Sequence, residues 1–154
     1  MNATPPPRRP QLLRMELPSS LEVLPVVHTA LEVFLRRVVR VPSLEARVRL
    51  PLVEAVVNAI RHGNRQDPHL TVSITLEWNP PELSARVEDA GEPFDPGAAG
   101  EPTDSLEDHG RGLFLMRRMT DGLRFSRGER GNVVELRWRV PSRGPAPDPA
   151  ADQM

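Results

Sequence analysis

The chain has 154 residues, with 20 cationic against 21 acidic side chains, four His, no Cys and a formal charge of −1; every cation is Arg. That composition excludes disulfides, thiolate nucleophiles, cysteine-bound metals and lysine-based chemistry, and it offers no bulk positive charge to hold a nucleic acid. No apolar run approaches the ~20 residues of a membrane span and the Pro- and Arg-rich start is unlike a signal peptide, so one soluble, cytoplasmic domain is expected.

Residues 1–10, with Pro5-Pro6-Pro7 and Arg8-Arg9-Pro10, read as a disordered arm, and residues 141–154, rich in Pro and Asp, as a disordered tail. The folded unit is therefore expected at 11–140. Leu13, Met15 and Leu17 alternate with Leu12, Arg14 and Glu16, which predicts a first strand. Pro18-Ser19-Ser20 supplies an N-cap for a helix over Leu21–Val39, whose last turn carries Arg36, Arg37 and Arg40. A second helix restarts near Leu44 after Pro42-Ser43, is interrupted by Pro51 and stops at Gly63-Asn64.

Strand signals dominate thereafter. Val72, Ile74, Leu76 and Trp78 alternate with polar residues, Asn79-Pro80-Pro81 turns, and Leu83, Ala85 and Val87 alternate back, predicting a hairpin. Residues 90–111 form a long Gly-, Pro- and acid-rich loop, of the kind that compact domains reserve for function. A short helix over Leu113–Met119, a strand at Leu123–Arg127, a Gly128–Gly131 turn and a strand over Asn132–Val140 complete the unit. Every strand alternates, whereas a parallel sheet covered on both faces would show continuous apolar runs. The expectation is an α/β (α+β) two-layer sandwich, about three helices on one face of a mixed, mainly antiparallel five-stranded sheet.

Three constellations carry chemistry. Glu54, Asn58 and His62 follow at i, i+4 and i+8 and form one polar line on a helix whose other side, Leu52, Val56, Ala59 and Ile60, suits a core. Alone, such a line also reads as a solvated face. Asp89, in Asp89-Ala90-Gly91, continues the inward phase of Leu83, Ala85 and Val87; a carboxylate in that direction needs a donor such as a purine amine, although an Asp-Gly turn capping its own backbone reads equally well. Gly110-Arg111-Gly112-Leu113 opens a helix after the long loop, as an anion-binding helix start or a plain loop–helix junction would. It is neither a Walker A loop nor a Rossmann fingerprint, for want of Lys, spacing and a parallel β–α–β setting.

Taken in this order, a Glu-x-x-x-Asn helix, an Asp-x-Gly hairpin end, a long loop and a Gly-x-Gly helix start, the sequence resembles the GHKL ATPase superfamily with its Bergerat ATP-binding fold. Within it, the chain is similar to the anti-sigma factor serine/threonine-protein kinases of bacterial partner-switching systems, over residues 11–140. The most specific stretch is Glu54-Ala55-Val56-x-Asn58-Ala59-x-x-His62-Gly63.

The resemblance implies a role for each group. Asn58 would coordinate the Mg²⁺ bridging the ATP phosphates, and Glu54 would be the general base. Asp89 would hold the adenine amine with Gly91 leaving room beside it, residues 96–109 would form a lid, and Gly110, Gly112 and Leu113 would meet the phosphates. Phe94, Arg111 and Asn132 complete the implied cofactor-binding set. Pro93 stands where many relatives have a second Gly, and Gly131-Asn132 where they often have Gly-Thr.

The function so implied is phosphorylation of a STAS-domain antagonist by a homodimeric kinase that also sequesters a sigma factor, without direct nucleic-acid or membrane binding. The alternative is an ATP-binding regulatory module of the same fold without phosphotransfer, which differs only in the use of Glu54. A sensor histidine kinase is a poorer match, because only about ten residues precede the first strand.

Overall fold

A computed structural model describes residues 9–38, 42–93 and 108–140, with backbone alone at residues 42 and 108–110. Phe94, residues 96–107 of the expected lid and nearly all of both terminal arms lie outside them. β1 (Gln11–Pro18) leads through a 3₁₀ turn (Leu21–Val23) into α1 (Leu24–Val38), and α2 (Pro42–Asn58) is prolonged by a π-helical turn (Ala59–Gly63). Ser20 caps the 3₁₀ turn as expected, its Oγ accepting from the Glu22 N–H at 3.3 Å. β2 (Thr71–Asn79) and β3 (Glu82–Glu88) form the hairpin around Pro80-Pro81, and α3 (Asp108–Met119), β4 (Gly122–Arg127) and β5 (Asn132–Arg139) follow. Among the described residues no helix is long and apolar enough to cross a membrane.

The sheet runs β1-β2-β3-β5-β4 and every pairing in it is antiparallel, which corrects the expectation of a mixed sheet. The reason is β5. It inserts between β3 and β4, so the β3–α3–β4 crossover joins two strands that never touch and no parallel ladder arises. α3 also begins earlier than the sequence suggests, at Asp108, so that Gly110 and Gly112 lie within its first turns. Two glycines cost such a helix about 2 kcal/mol against alanine, a deficit offset where Gly112 lets α3 press closely on α2.

Alternation sorts the strands as expected. Leu83, Ala85 and Val87 of β3 and Leu136 and Trp138 of β5 are buried under the helices, where they meet α1 through Leu31 and Leu35 and α2 through Val48, Leu52 and Val56. The other face is polar. There Arg86 pairs with Glu88 at 3.2 Å and Glu135 at 3.4 Å, and Arg130 with Glu16 at 3.0 Å. These pairs are exposed and each contributes little to stability.

Pro51 lies inside α2 without ending it. Its ring nitrogen cannot donate to the carbonyl four residues earlier, that of Arg47. The indole of Trp138, fully buried on β5, fills the gap: Nε1–H donates to the Arg47 carbonyl at 3.1 Å and to that of Met119, at the end of α3, at 2.9 Å. One donor thus satisfies two helix carbonyls that have no N–H partner of their own, and it ties α2, α3 and the sheet at a single point.

Trp138→Phe should therefore destabilise the fold by about 1–3 kcal/mol in urea unfolding. In a Pro51→Ala background, where residue 51 regains its N–H, the loss should shrink; additive losses in the double-mutant cycle would show that Trp138 does not stand in for the missing donor.

Candidate functional site

The site is built where α2 runs out. After Asn58 the helix widens into the π turn: Asn64 N–H donates to the Ala59 carbonyl at 2.8 Å and Gln66 N–H to that of Ile60 at 2.7 Å. π turns of this kind concentrate at functional sites. The helix does stop near Gly63-Asn64, but not by a left-handed glycine. The positive φ angles belong to Arg65 (51°) and Gln66 (57°). Gly63 is required for another reason, because a β-carbon there would overlap the carboxylate of Asp89.

Asp89 is only 7% exposed. A carboxylate removed from water needs hydrogen bonds, and it has them on one oxygen. Oδ1 accepts from the Gly91 N–H at 2.8 Å and from Asn132 Nδ2 at 3.0 Å. Asn132 Nδ2 also donates to the Glu92 carbonyl at 2.7 Å, while its Oδ1 accepts from Arg127 Nη1 at 3.4 Å. Arg127 in turn donates to the Gly91 carbonyl at 2.6 Å, closing a ring around the turn. The other oxygen, Oδ2, packs against Gly63 and accepts no hydrogen bond from a described residue. The side chain that the strand phase aims inward is thus half satisfied, with one acceptor left over.

A cavity of about 320 Å³ opens beside it. Its walls are mostly apolar, with Ala59, Val87, Leu113, Met116, Phe125 and Val134, and the polar residues that line it include Asn58, His62, Arg65, Asp89 and Asn132. That size and lining, mostly apolar with a few convergent polar groups, suit a small organic ligand. Glu54 does not line the cavity. It lies one turn behind Asn58, half-buried, where α3 crosses: a β-carbon at Gly112 would be 2.6 Å from Glu54 Oε2 and 3.7 Å from Asn58 Nδ2. Neither the Glu54 nor the Asn58 side chain hydrogen-bonds to a described residue.

Of the residues singled out in the sequence, Asn58, Asp89, Leu113 and Asn132 come together around the cavity. Gly91 is engaged with Asp89, and a β-carbon on it would overlap the Gly63 carbonyl. Gly112 sits on Glu54. Gly110 and Arg111 occupy the start of α3, with the Arg111 side chain exposed, and Phe94 lies outside the described residues. Among the described residues no cluster of three or more His, Cys, Asp and Glu could hold a metal ion by itself.

The comparison with known families places the whole unit. The model of the histidine kinase-like ATPase domain matches residues 17–138, from the end of β1 to the end of β5. The chain belongs to that family. The match bears out the GHKL superfamily read from the three motifs, and it supports ATP binding by the domain. No curated protein matches the chain.

One residue of this ATPase domain escaped the sequence reading. Asn64, read only as a helix stop, is buried and donates from Nδ2 to the Thr71 carbonyl at 3.0 Å while its Oδ1 accepts from the Ala90 N–H at 2.8 Å. It fastens the turn after Asp89 to the end of α2. A polar residue directly after Gly63, in a stretch about to enter a buried strand, was the available signal. Gly63→Ala should cost roughly 1–3 kcal/mol by forcing the Asp89 carboxylate aside, and Asn64→Ala a similar amount through two unmade buried hydrogen bonds. Thermal melts of the two variants check both, and a wild-type melting temperature for either would refute the packing described.

Proposed function

We propose that this ATPase domain is a serine/threonine-protein kinase of the anti-sigma factor type. In this reading it binds Mg-ATP, phosphorylates a STAS-type antagonist protein and, as a homodimer, sets sigma-factor availability by partner switching. The observation that carries the reading is the pair Glu54 and Asn58, one helical turn apart against Gly112 and without a hydrogen bond to any described residue. A carboxylate with no structural partner, one turn from a carboxamide on the cavity wall, suits proton abstraction beside a bound phosphate.

The free Oδ2 of Asp89 accepts from the exocyclic amine of adenine, and the apolar walls enclose the ring. The Asn58 carboxamide oxygen would hold Mg²⁺, an ion that needs few protein ligands beside substrate phosphates and water, and when bound it would supply charge neutralisation at the phosphates. Glu54 takes the proton from a Ser or Thr hydroxyl as its oxygen bonds to the γ-phosphorus and the bond to the β–γ bridging oxygen breaks, leaving ADP. Gly110, Arg111 and Gly112 bring the start of α3, the end of a helix whose N–H groups attract anions, towards the phosphates.

One observation favours the second reading, an ATP-responsive binding module without phosphotransfer: Glu54 is covered by α3 and lies off the cavity wall. Two variants test the ATP binding that both readings share, and Glu54→Ala separates them. Mg-ATP at 100 Kd should stabilise the chain by about 2.7 kcal/mol, and Asp89→Asn should remove most of that gain. Glu54→Ala should keep it yet slow phosphotransfer to a STAS-domain acceptor about 10²–10⁴-fold; an unchanged rate would dismiss Glu54 as the base. Asn58→Ala should make nucleotide binding indifferent to Mg²⁺ in a titration.

A further inference from the structure

We propose that Arg65 is a nucleobase-binding residue of the cavity, with its guanidinium lying over the face of the purine whose amine Asp89 accepts. Arg65 lines the cavity, yet it makes no hydrogen bond or ion pair with a described residue. Its place identifies the end of the cavity it serves. Asn58 marks one end on α2, and Gly63, packed on the Asp89 carboxylate, marks the other; Arg65 follows Gly63 by two residues. A guanidinium is planar and weakly hydrated, so it stacks on aromatic faces as an ammonium does not.

The backbone supports the assignment. Arg65 and Gln66 are both left-handed, at φ 51° and 57°, where a β-carbon is strained. The conformation is held by hydrogen bonds around it, the Asn64 and Gln66 N–H groups donating back to Ala59 and Ile60 and the Asp67 N–H to the Asn64 carbonyl at 3.0 Å. Glycine or asparagine would end the helix here with less strain. An arginine held there directs a long cation at the cavity mouth, and strained conformations of this kind gather at ligand sites.

The inference rests on the ATP reading, and its test separates the two. Affinities for adenosine, AMP and Mg-ATP are measured by calorimetry on the full chain and on Arg65→Gly and Arg65→Lys. Arg65→Gly relieves the backbone, so the ligand-free protein should melt about 2–4 °C higher, while all three ligands bind about 3- to 10-fold more weakly, by the same factor. Arg65→Lys should recover little of that affinity. Unchanged affinity in Arg65→Gly overturns the proposal, as does a loss that grows with phosphate number or full rescue by lysine, either of which marks a charge contact instead. If the unaltered chain binds none of the three ligands, the ATP reading falls first and this proposal with it.

Discussion

Removing one carboxylate from water dictates most of the local geometry of this site. Asp89 sits beyond the end of β3, in the strand's inward phase, so it must be met by donors and given room. The donors are the Gly91 N–H and Asn132 Nδ2, which is why the strand ends in a turn and why β5 begins with an amide side chain. The room comes from Gly63, which brings the end of α2 against the carboxylate. Asn64 then fixes the turn to β2, and Arg127 closes it from β4. Residues from three strands and one helix end are thus committed around a single charge.

A second constraint acts at the opposite end of the helix pair. Pro51 removes a donor from α2, and the indole of Trp138 replaces it while also serving the last carbonyl of α3. α3 is therefore anchored at its C-terminal end to both α2 and the sheet, and its N-terminal end is the part that meets Glu54. With one end fixed and the other in contact, α3 keeps Gly112 over the same carboxylate.

What the sequence reveals follows from how local each signal is. Strand alternation has a period of two and is read directly, and extending it by two residues from Val87 aims Asp89 inward. The helix caps and the Gly128–Gly131 turn are equally local. Strand order is not, because nothing within β3, β4 or β5 announces that the last strand enters between the other two. The early start of α3 is hidden because two glycines argue against a helix, and only packing on α2 admits them. The π turn is hidden too: Ala59-Ile60-Arg61-His62-Gly63 would form a regular turn by propensity, and its widening depends on hydrogen bonds made by Asn64 and Gln66 beyond it. Asn64 itself is visible as a residue but not as a tie, since one of its partners, the Ala90 N–H, is distant in the chain and the other lies across the turn into β2.

The interlock of Gly63, Gly91 and Asp89 divides the cavity into parts with different freedom to vary. On the floor, each residue occupies space that another has vacated, so a change at one demands a change at the rest, and intermediates carry a steric clash or an unpaired carboxylate. The walls are different. Met116 and Phe125 meet the cavity with side chains that can be exchanged for others of similar volume at little cost. A substitution on the floor therefore has to be matched by its neighbours, whereas one in the walls does not, and the shape of the cavity is most readily altered from its walls.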